Sequence, residues 1–362
     1  MPEELRIVQL CGSAGGGVRR HVRELAGAQA EANDVVLAGP ADVVSDAGVP
    51  SRVVDIRDRP GPGDLRVLRQ VRALAAGADV VHAHGLRAGA IAVLAAGSLG
   101  GRRPAVVTTL HNLPVGGWRI RGLAAFLERL VARRADVVLG VSLDLVERAR
   151  ERGARDAERA LVPAPPRPAP GEFSADQRRE LGLDDGCALV LTVARLAPQK
   201  GLDLLLEAAA RLEADPAAPP LVWAVAGDGP LQAELTARIH AQRLPVRLLG
   251  RRSDVPDLLA AADVFVSTSQ WEGQPLGVQE ALAVGAPVVA TDVGGTGEVT
   301  GEAAVLVPYG DPGALASEVR RLLSDPVRRA ELSAAARARA QQLPRLADVV
   351  AQLRAVYGRA LG

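Results

Sequence analysis

Arg195 and Lys200 flank the loop Ala194-Arg195-Leu196-Ala197-Pro198-Gln199-Lys200-Gly201, which follows an apolar run and precedes a helical pattern. Two cations so placed can neutralise a diphosphate, arginine bidentately and lysine as a point charge. The chain has 43 basic residues and 42 are arginine, so Lys200 is its sole lysine. Chance or chemistry can leave one lysine in so biased a chain. Two solvated surface charges are the plainer alternative.

A second constellation is acidic. Glu272 and Glu280 bracket a helix start in Ser267-Thr268-Ser269-Gln270-Trp271-Glu272-Gly273-Gln274-Pro275-Leu276-Gly277-Val278-Gln279-Glu280. Proline suits the first helical position, where its missing N–H would have no partner. The amides of a helix N-terminus bind phosphate. As a glycosidase pair the two acids fit badly. Helical rise sets them about 12 Å apart, whereas retaining glycosidases need roughly 5 Å and inverting ones roughly 6.5–9.5 Å. The two carboxylates therefore divide the work. Glu272, before the helix, sits at the phosphate end, and Glu280, two turns in, can take ribose hydroxyls. The amides of Leu276 and Gly277 face the phosphate.

The first half offers weaker signals. Cys11-Gly12-Ser13-Ala14-Gly15-Gly16-Gly17 joins a strand to a helix, and glycines there let a ligand approach the backbone. A tight turn would need the same residues. The spacing is not the dinucleotide fingerprint, and no clear acidic ribose partner ends the next strand. His82, His84, His111 and Ser142 fall at later strand tips. His82 and His84, two apart on an extended chain, share a face. They could pair on a metal, but no third ligand has suitable spacing. A strand-end histidine bonded to backbone is the ordinary alternative.

The elements that must hold these residues alternate. Apolar runs at 5–10, 35–38, 52–56, 79–81, 105–109 and 136–141 read as strands. Helical patterns at 18–31, 64–77, 86–99 and 123–134 lie among them. Such alternation implies parallel βαβ units and doubly wound sheets, with ligands beyond the carboxyl ends of the strands. Five prolines within 163–170 exclude helix or central strand and mark a stiff linker. The pattern then restarts, with strands at 188–193, 221–226, 246–249, 263–266, 287–290 and 303–307. Helices at 313–324, 326–341 and 345–360 close the chain. The expected division is an N-terminal Rossmann-like domain over 1–165, a linker over 166–184, a C-terminal ligand-binding domain over 185–343, and a final helix over 344–362.

Composition narrows the function. Hydrophobic residues make up 48% of the 362 and aromatics only 2%. That suits α/β layers of small branched side chains and argues against a base-stacking nucleic-acid platform. A net charge of +1 selects no polyanion. Cys11 and Cys187 form no disulfide framework or metal spacing, which fits a reducing cytoplasm. The N-terminus does not read as a signal peptide, and the longest apolar run, 88–100, is too short to span a bilayer.

Glu272-Gly273 through Glu280 resembles the E-x7-E motif of retaining glycosyltransferases of family 4. Val193 to Gly201 is similar to that family's strand-Arg-(four)-Lys-Gly element. Gly227-Asp228-Gly229-Pro230, Leu249-Gly250-Arg251, the run 287–295 and the run 307–312 resemble further landmarks, in order. Gly15-Gly16-Gly17 and His111 resemble landmarks of the other half. The resemblance covers nearly the whole chain and is most specific in the second domain. It implies the GT-B fold, two Rossmann-like doubly wound domains facing a cleft, with the final helix returning to the first. It also implies a hexose-type sugar carried by a UDP- or GDP-linked donor to a hydroxyl acceptor such as a glycan, lipid or small molecule. By that resemblance Arg195 and Lys200 bind the diphosphate, Glu280 the ribose, and the Gly250-Arg251 backbone the base. Glu272, with Gly273 and the amides of Leu276 and Gly277, contacts the sugar. Gly16 and Gly17 approach the diphosphate and His111 touches the sugar from the acceptor side. No cofactor or metal is implied, and no Asp-x-Asp motif is present. A non-catalytic nucleotide-sugar-binding protein and a sugar-nucleotide epimerase of the same fold are the alternatives. Gln274 stands where many members carry an aromatic residue, and Gly297 where proline often precedes Glu298, departures that bear on sugar selectivity.

The segment 118–134 sets Arg119, Arg121, Arg129, Arg133 and Arg134 beside Leu123, Phe126, Leu127, Leu130 and Val131. Such a helix either packs one face on the sheet or docks peripherally on the inner, anionic face of a membrane.

Overall fold

The computed structural model describes residues 4–13, 16–57, 61–101, 103–113, 118–163, 176–183 and 186–362, without the side chains of 118–120 and 176–177. The chain forms two compact units, one of Met1–Pro163 with Pro344–Gly362 and one of Ala164–Leu343.

The first unit is a parallel sheet of β1 (Arg6–Cys11), β2 (Asp34–Gly39), β3 (Ser51–Val53), β4 (Val80–His84), β5 (Ala105–Leu110), β6 (Val137–Gly140) and β7 (Ala157–Arg159). Its order is β3-β2-β1-β4-β5-β6-β7. The helices are α1 (Gly16–Gln29), α2 (Ala41–Val44), α3 (Asp64–Ala75), α4 (Leu86–Gly97), α5 (Trp118–Arg134) and α6 (Leu143–Glu151). Central strands such as β4 and β6 are buried throughout. Helices cover both faces of such a sheet, which is why β6 reads as a continuous apolar run.

The second unit repeats the plan. It contains α7 (Asp176–Glu180), β8 (Ala188–Val193), a 3-10 turn (Pro198–Lys200), α8 (Leu202–Glu213), β9 (Leu221–Ala226), α9 (Gln232–Gln242) and β10 (Val246–Gly250). There follow α10 (Val255–Ala261), β11 (Val264–Ser267), α11 (Leu276–Val284), β12 (Val288–Thr291), α12 (Thr296–Thr300), β13 (Val305–Val307), α13 (Pro312–Ser324) and α14 (Pro326–Gln342). The order β10-β9-β8-β11-β12-β13 reverses direction between β8 and β11, as the first sheet does between β1 and β4. Ligands bind at such switch points in doubly wound sheets. Trp223 is fully buried in β9, and its indole N–H donates to Thr192 Oγ1 at 3.1 Å. Thr192 in turn donates to the Val266 carbonyl at 2.8 Å, which ties β9, β8 and β11 together.

The last helix, α15 (Leu346–Leu361), belongs to the first unit. Gln352 accepts from the Leu161 amide at 2.8 Å and donates to the Arg159 carbonyl at 2.7 Å. Arg359 pairs with Asp156 and Glu158.

Several expectations needed correction. The segment 166–184 is not linker throughout. Its residues 166–175 and 184 lie outside the description, but α7 lies between them, and Arg178 donates to the Ala261 and Cys187 carbonyls and pairs with Asp263. Those bonds anchor it to the second unit. Pro275 caps α11 and does not begin it. The helix after β1 starts at Gly16, so Gly16 and Gly17 lie in its first turn. Four elements outside the expected linker had no counterpart in the sequence reading, the helices α2, α6 and α12 and the edge strand β7.

Candidate functional site

The switch point of the second unit gathers four of the marked residues, Lys200, Glu272, Leu276 and Gly277. Val193, Lys200, Ser269, Glu272, Leu276 and Gly277 line one pocket. The loop after β8 and the loop after β11 are stitched across it. The Gln270 amide donates to the Gln199 carbonyl at 2.8 Å, and Gln199 Nε2 to the Trp271 carbonyl at 3.0 Å. Thr268 Oγ1 donates to the Lys200 carbonyl at 2.9 Å. Gly201, at φ +58°, brings the two backbones so close that a Cβ there would lie 2.0 Å from the Thr268 oxygen.

Inside this frame Lys200 Nζ donates to Glu272 Oε1. Ser269 Oγ donates to the same oxygen at 2.6 Å. Both bonds use Oε1 of a buried carboxylate and fix its orientation, so the second oxygen has a defined position. The backbone of Glu272 is held as well. Its carbonyl accepts from the Gly295 amide at 2.7 Å, and a Cβ on Gly294 would come within 2.1 Å of it. Leu276 and Gly277 open α11, where backbone amides have no partner within the helix. A Cβ on Gly277 would sit 3.2 Å from the Val193 carbonyl, so a small residue lets the helix end approach β8. One cation, one oriented carboxylate and a helix N-terminus thus converge. They can hold a phosphate and accept from a hydroxyl beside it.

The remaining marked residues lie outside this pocket lining. Arg195 is exposed on the same loop, Gly273 is buried, and Glu280 is half-buried on α11. Gly250 ends β10 at φ +66°, its carbonyl accepting from the Gly227 amide at 2.8 Å, and Arg251 is exposed beyond it. In the first unit Gly16 is exposed and Gly17 half-buried, while Gly15 is outside the description.

His111 ends up in a cluster with His21, His82 and His84. The His84 and His111 rings stack with centroids 5.4 Å apart, and His82 and His84 share one sheet face at 4.3 Å. Burial, reinforced by neighbouring imidazoles, lowers His82 and His111 to about 3 and holds His84 well below its ordinary value of 6.5. Burial takes His21 to about 4. Among the described residues neither strand histidine bonds to backbone. Their partners are Tyr357 and Thr109 for His82, and Gln9 and His111 for His84. Sequence reasoning passed over Ser269, although a hydroxyl three residues before a marked glutamate was a usable signal. It also passed over His21 and Tyr357, whose proximity to the strand tips is tertiary.

Known proteins resemble both units. Residues 173–339 match the family "Glycosyl transferases group 1", and residues 16–165 match the "Glycosyl transferase 4-like domain". The putative teichuronic acid biosynthesis glycosyltransferase TuaC of Bacillus subtilis is 34% identical over 62% of this chain and 56% of its own length. A GDP-mannose-dependent monoacylated alpha-(1-6)-phosphatidylinositol monomannoside mannosyltransferase of Corynebacterium glutamicum is 34% identical over 47% of each chain. The chain therefore spans about half the length of these relatives. Among solved structures, Anabaena HepE in complex with UDP superposes with a TM-score of 0.83 at 22% identity, covering 98% of this chain and 100% of that one. Two family matches that together span most of the chain, on a pair of Rossmann-like sheets shared with such structures, show that this protein belongs to the group 1 glycosyl transferases and has the GT-B fold.

Proposed function

We propose that the protein is a retaining, metal-independent glycosyltransferase that moves a hexose-type sugar from a UDP- or GDP-linked donor to a hydroxyl acceptor. The observation that carries this reading is the convergence of Lys200 and Ser269 on Glu272 beside the α11 N-terminus. Lys200, with Arg195 on the same loop, takes the diphosphate. Glu272 accepts from sugar hydroxyls through the oxygen that Lys200 and Ser269 leave available. Glu280 takes the ribose, the Gly250-Arg251 backbone the base, and His111 contacts the sugar. In the reaction the bond between the anomeric carbon and the diphosphate oxygen breaks, and the diphosphate keeps the electron pair. The acceptor oxygen bonds to that carbon on the same face, and its proton passes to the departing diphosphate. Cationic stabilisation of the leaving group carries much of the catalysis. The relatives support the donor class. One is named for GDP-mannose, and HepE is described with UDP and with UDP-glucose.

Thermal-shift titration with UDP, GDP and ADP tests the donor site. At least one nucleotide raises the melting temperature, and Lys200→Ala removes that rise. No shift with any of the three, or a shift untouched in Lys200→Ala, overturns the assignment. Turnover of the nucleotide sugar with acceptor extracts, undiminished by EDTA, separates this enzyme from a binding scaffold.

We also propose a peripheral membrane contact through α5. No helix among the described residues is long and apolar enough to cross a membrane. Yet α5 exposes Leu123 and Phe126 in line with Arg129 and Arg133.

A further inference from the structure

Behind His111 the first unit contains a polar network to which the proposed chemistry assigns no other role, and Tyr357 of α15, 2% exposed, is its hub. The Tyr357 oxygen accepts from Gln29 Nε2 at 3.1 Å and from Gln9 Nε2 at 3.2 Å. Its single proton goes to His82 Nδ1, 2.7 Å away. His82 Nε2 therefore carries hydrogen and donates to Thr109 Oγ1 at 2.7 Å. A second branch leaves from Gln9. Its Nε2 also donates to Gln29 Oε1 at 2.5 Å, which turns Gln9 Oε1 toward His84 Nε2 at 2.8 Å. An amide oxygen only accepts, so His84 Nε2 is protonated. Buried His84 is neutral, so its Nδ1 offers only a lone pair. The partner of that lone pair, His111 Nε2 at 3.2 Å, must donate. His111 is neutral too, and its remaining nitrogen, Nδ1, is left with a lone pair.

We propose that Tyr357, Gln9 and His84 are positioning residues that set the tautomer of His111, so that Nδ1 is presented as an acceptor for a substrate hydroxyl. This role rests on the proposed contact of His111 with the sugar. The opposite tautomer would present an N–H and could not accept. The network has a definite polarity, because reversing both glutamine amides would reverse the protons of His84 and His111 together. His21 stands edge-on to both rings, at 6.0 and 5.9 Å, and its Nδ1 makes no hydrogen bond, so it competes for neither proton through that atom. His111 is the most exposed of the four at 9%, which suits the ring that meets a ligand.

Long-range proton–nitrogen NMR of the 15N-labelled full chain at neutral pH reads the tautomers directly. Hydrogen on Nε2 and none on Nδ1 is expected for His82, His84 and His111. Hydrogen on Nδ1 of His111 overturns the proposal. Tyr357→Phe removes one of the two acceptors of Gln9 Nε2 and the acceptor that holds the Gln29 amide, so the glutamine pair loosens and the His111 signals move toward a mixture of tautomers. In turnover the same variant loses about twofold or more in kcat with the donor KM unchanged. A His111 tautomer unchanged in Tyr357→Phe overturns the link to α15. Should that variant not fold, Gln29→Met removes the acceptor that orients Gln9 and gives the same readout. Nucleotide-induced thermal shift depends on Lys200 in the other unit, so loss of the donor-site reading and loss of this one are separate results.

Discussion

Four histidines share the interior of the first unit uncharged, and this couples its stability to pH. Their pKa values are depressed by burial, to about 3 for His82 and His111 and about 4 for His21. The unfolded chain, with histidines near 6.5, binds protons that the folded chain refuses. Stability is therefore full above about pH 6.5 and falls as pH drops from there toward about 3. Thermal melts should show a steady loss of melting temperature across that window, and a flat profile would contradict the buried neutral cluster. At this scale the sequence was partly legible. Alternation along β4 put His82 and His84 on one face, and the chemistry of Lys200 and Glu272 followed from residue type and local spacing. What binds His82 was not legible, because Tyr357 lies 275 residues away along the chain.

Loops bring the marked residues to one place, and Gly201 shows how tightly. Its φ of +58° and the Thr268 oxygen, 2.0 Å from any Cβ, leave no room for alanine. Gly201→Ala should destabilise by about 1–3 kcal/mol through overpacking. It should also weaken the nucleotide-induced shift, since the Lys200 loop must move off the β11 loop. Gly48→Ala is the control. Its φ of +69° is similarly strained, but nothing lies within 4 Å, so the backbone term acts alone. Denaturant melts of the pair, with the larger loss at Gly201, check this. Strands and helices were readable because apolar runs and 3.6-residue periods are local signals. The edge strand β7 carried none, being three residues long with Glu158 and Arg159 among them. The grip of Gly294 and Gly295 on Glu272 was equally invisible, since a close approach between distant backbones leaves only glycines in the text.

Over the molecule as a whole, two sheets of like order stand side by side in sequence, and that repetition was legible from the βα rhythm of each half. The role of α5 was not. Glu128 is buried on it, pairing with Arg148 and Arg152 of α6, while Phe126 is 63% exposed. The full chain should float with anionic vesicles and not with neutral ones, and Phe126→Ala combined with Arg129→Ala should reduce the bound fraction. Equal binding to both vesicles would remove the electrostatic part of that contact. The return of α15 to the first unit also sets an order in time. Translation delivers all of 164–343 before it reaches Tyr357. At cellular elongation rates that delay is roughly 10–40 s. Throughout it, the nascent first unit has a gap where the phenol belongs, and Gln29 Nε2 and His82 Nδ1 wait for the partner that Tyr357 supplies. The half that is synthesised first is thus the half that finishes folding last.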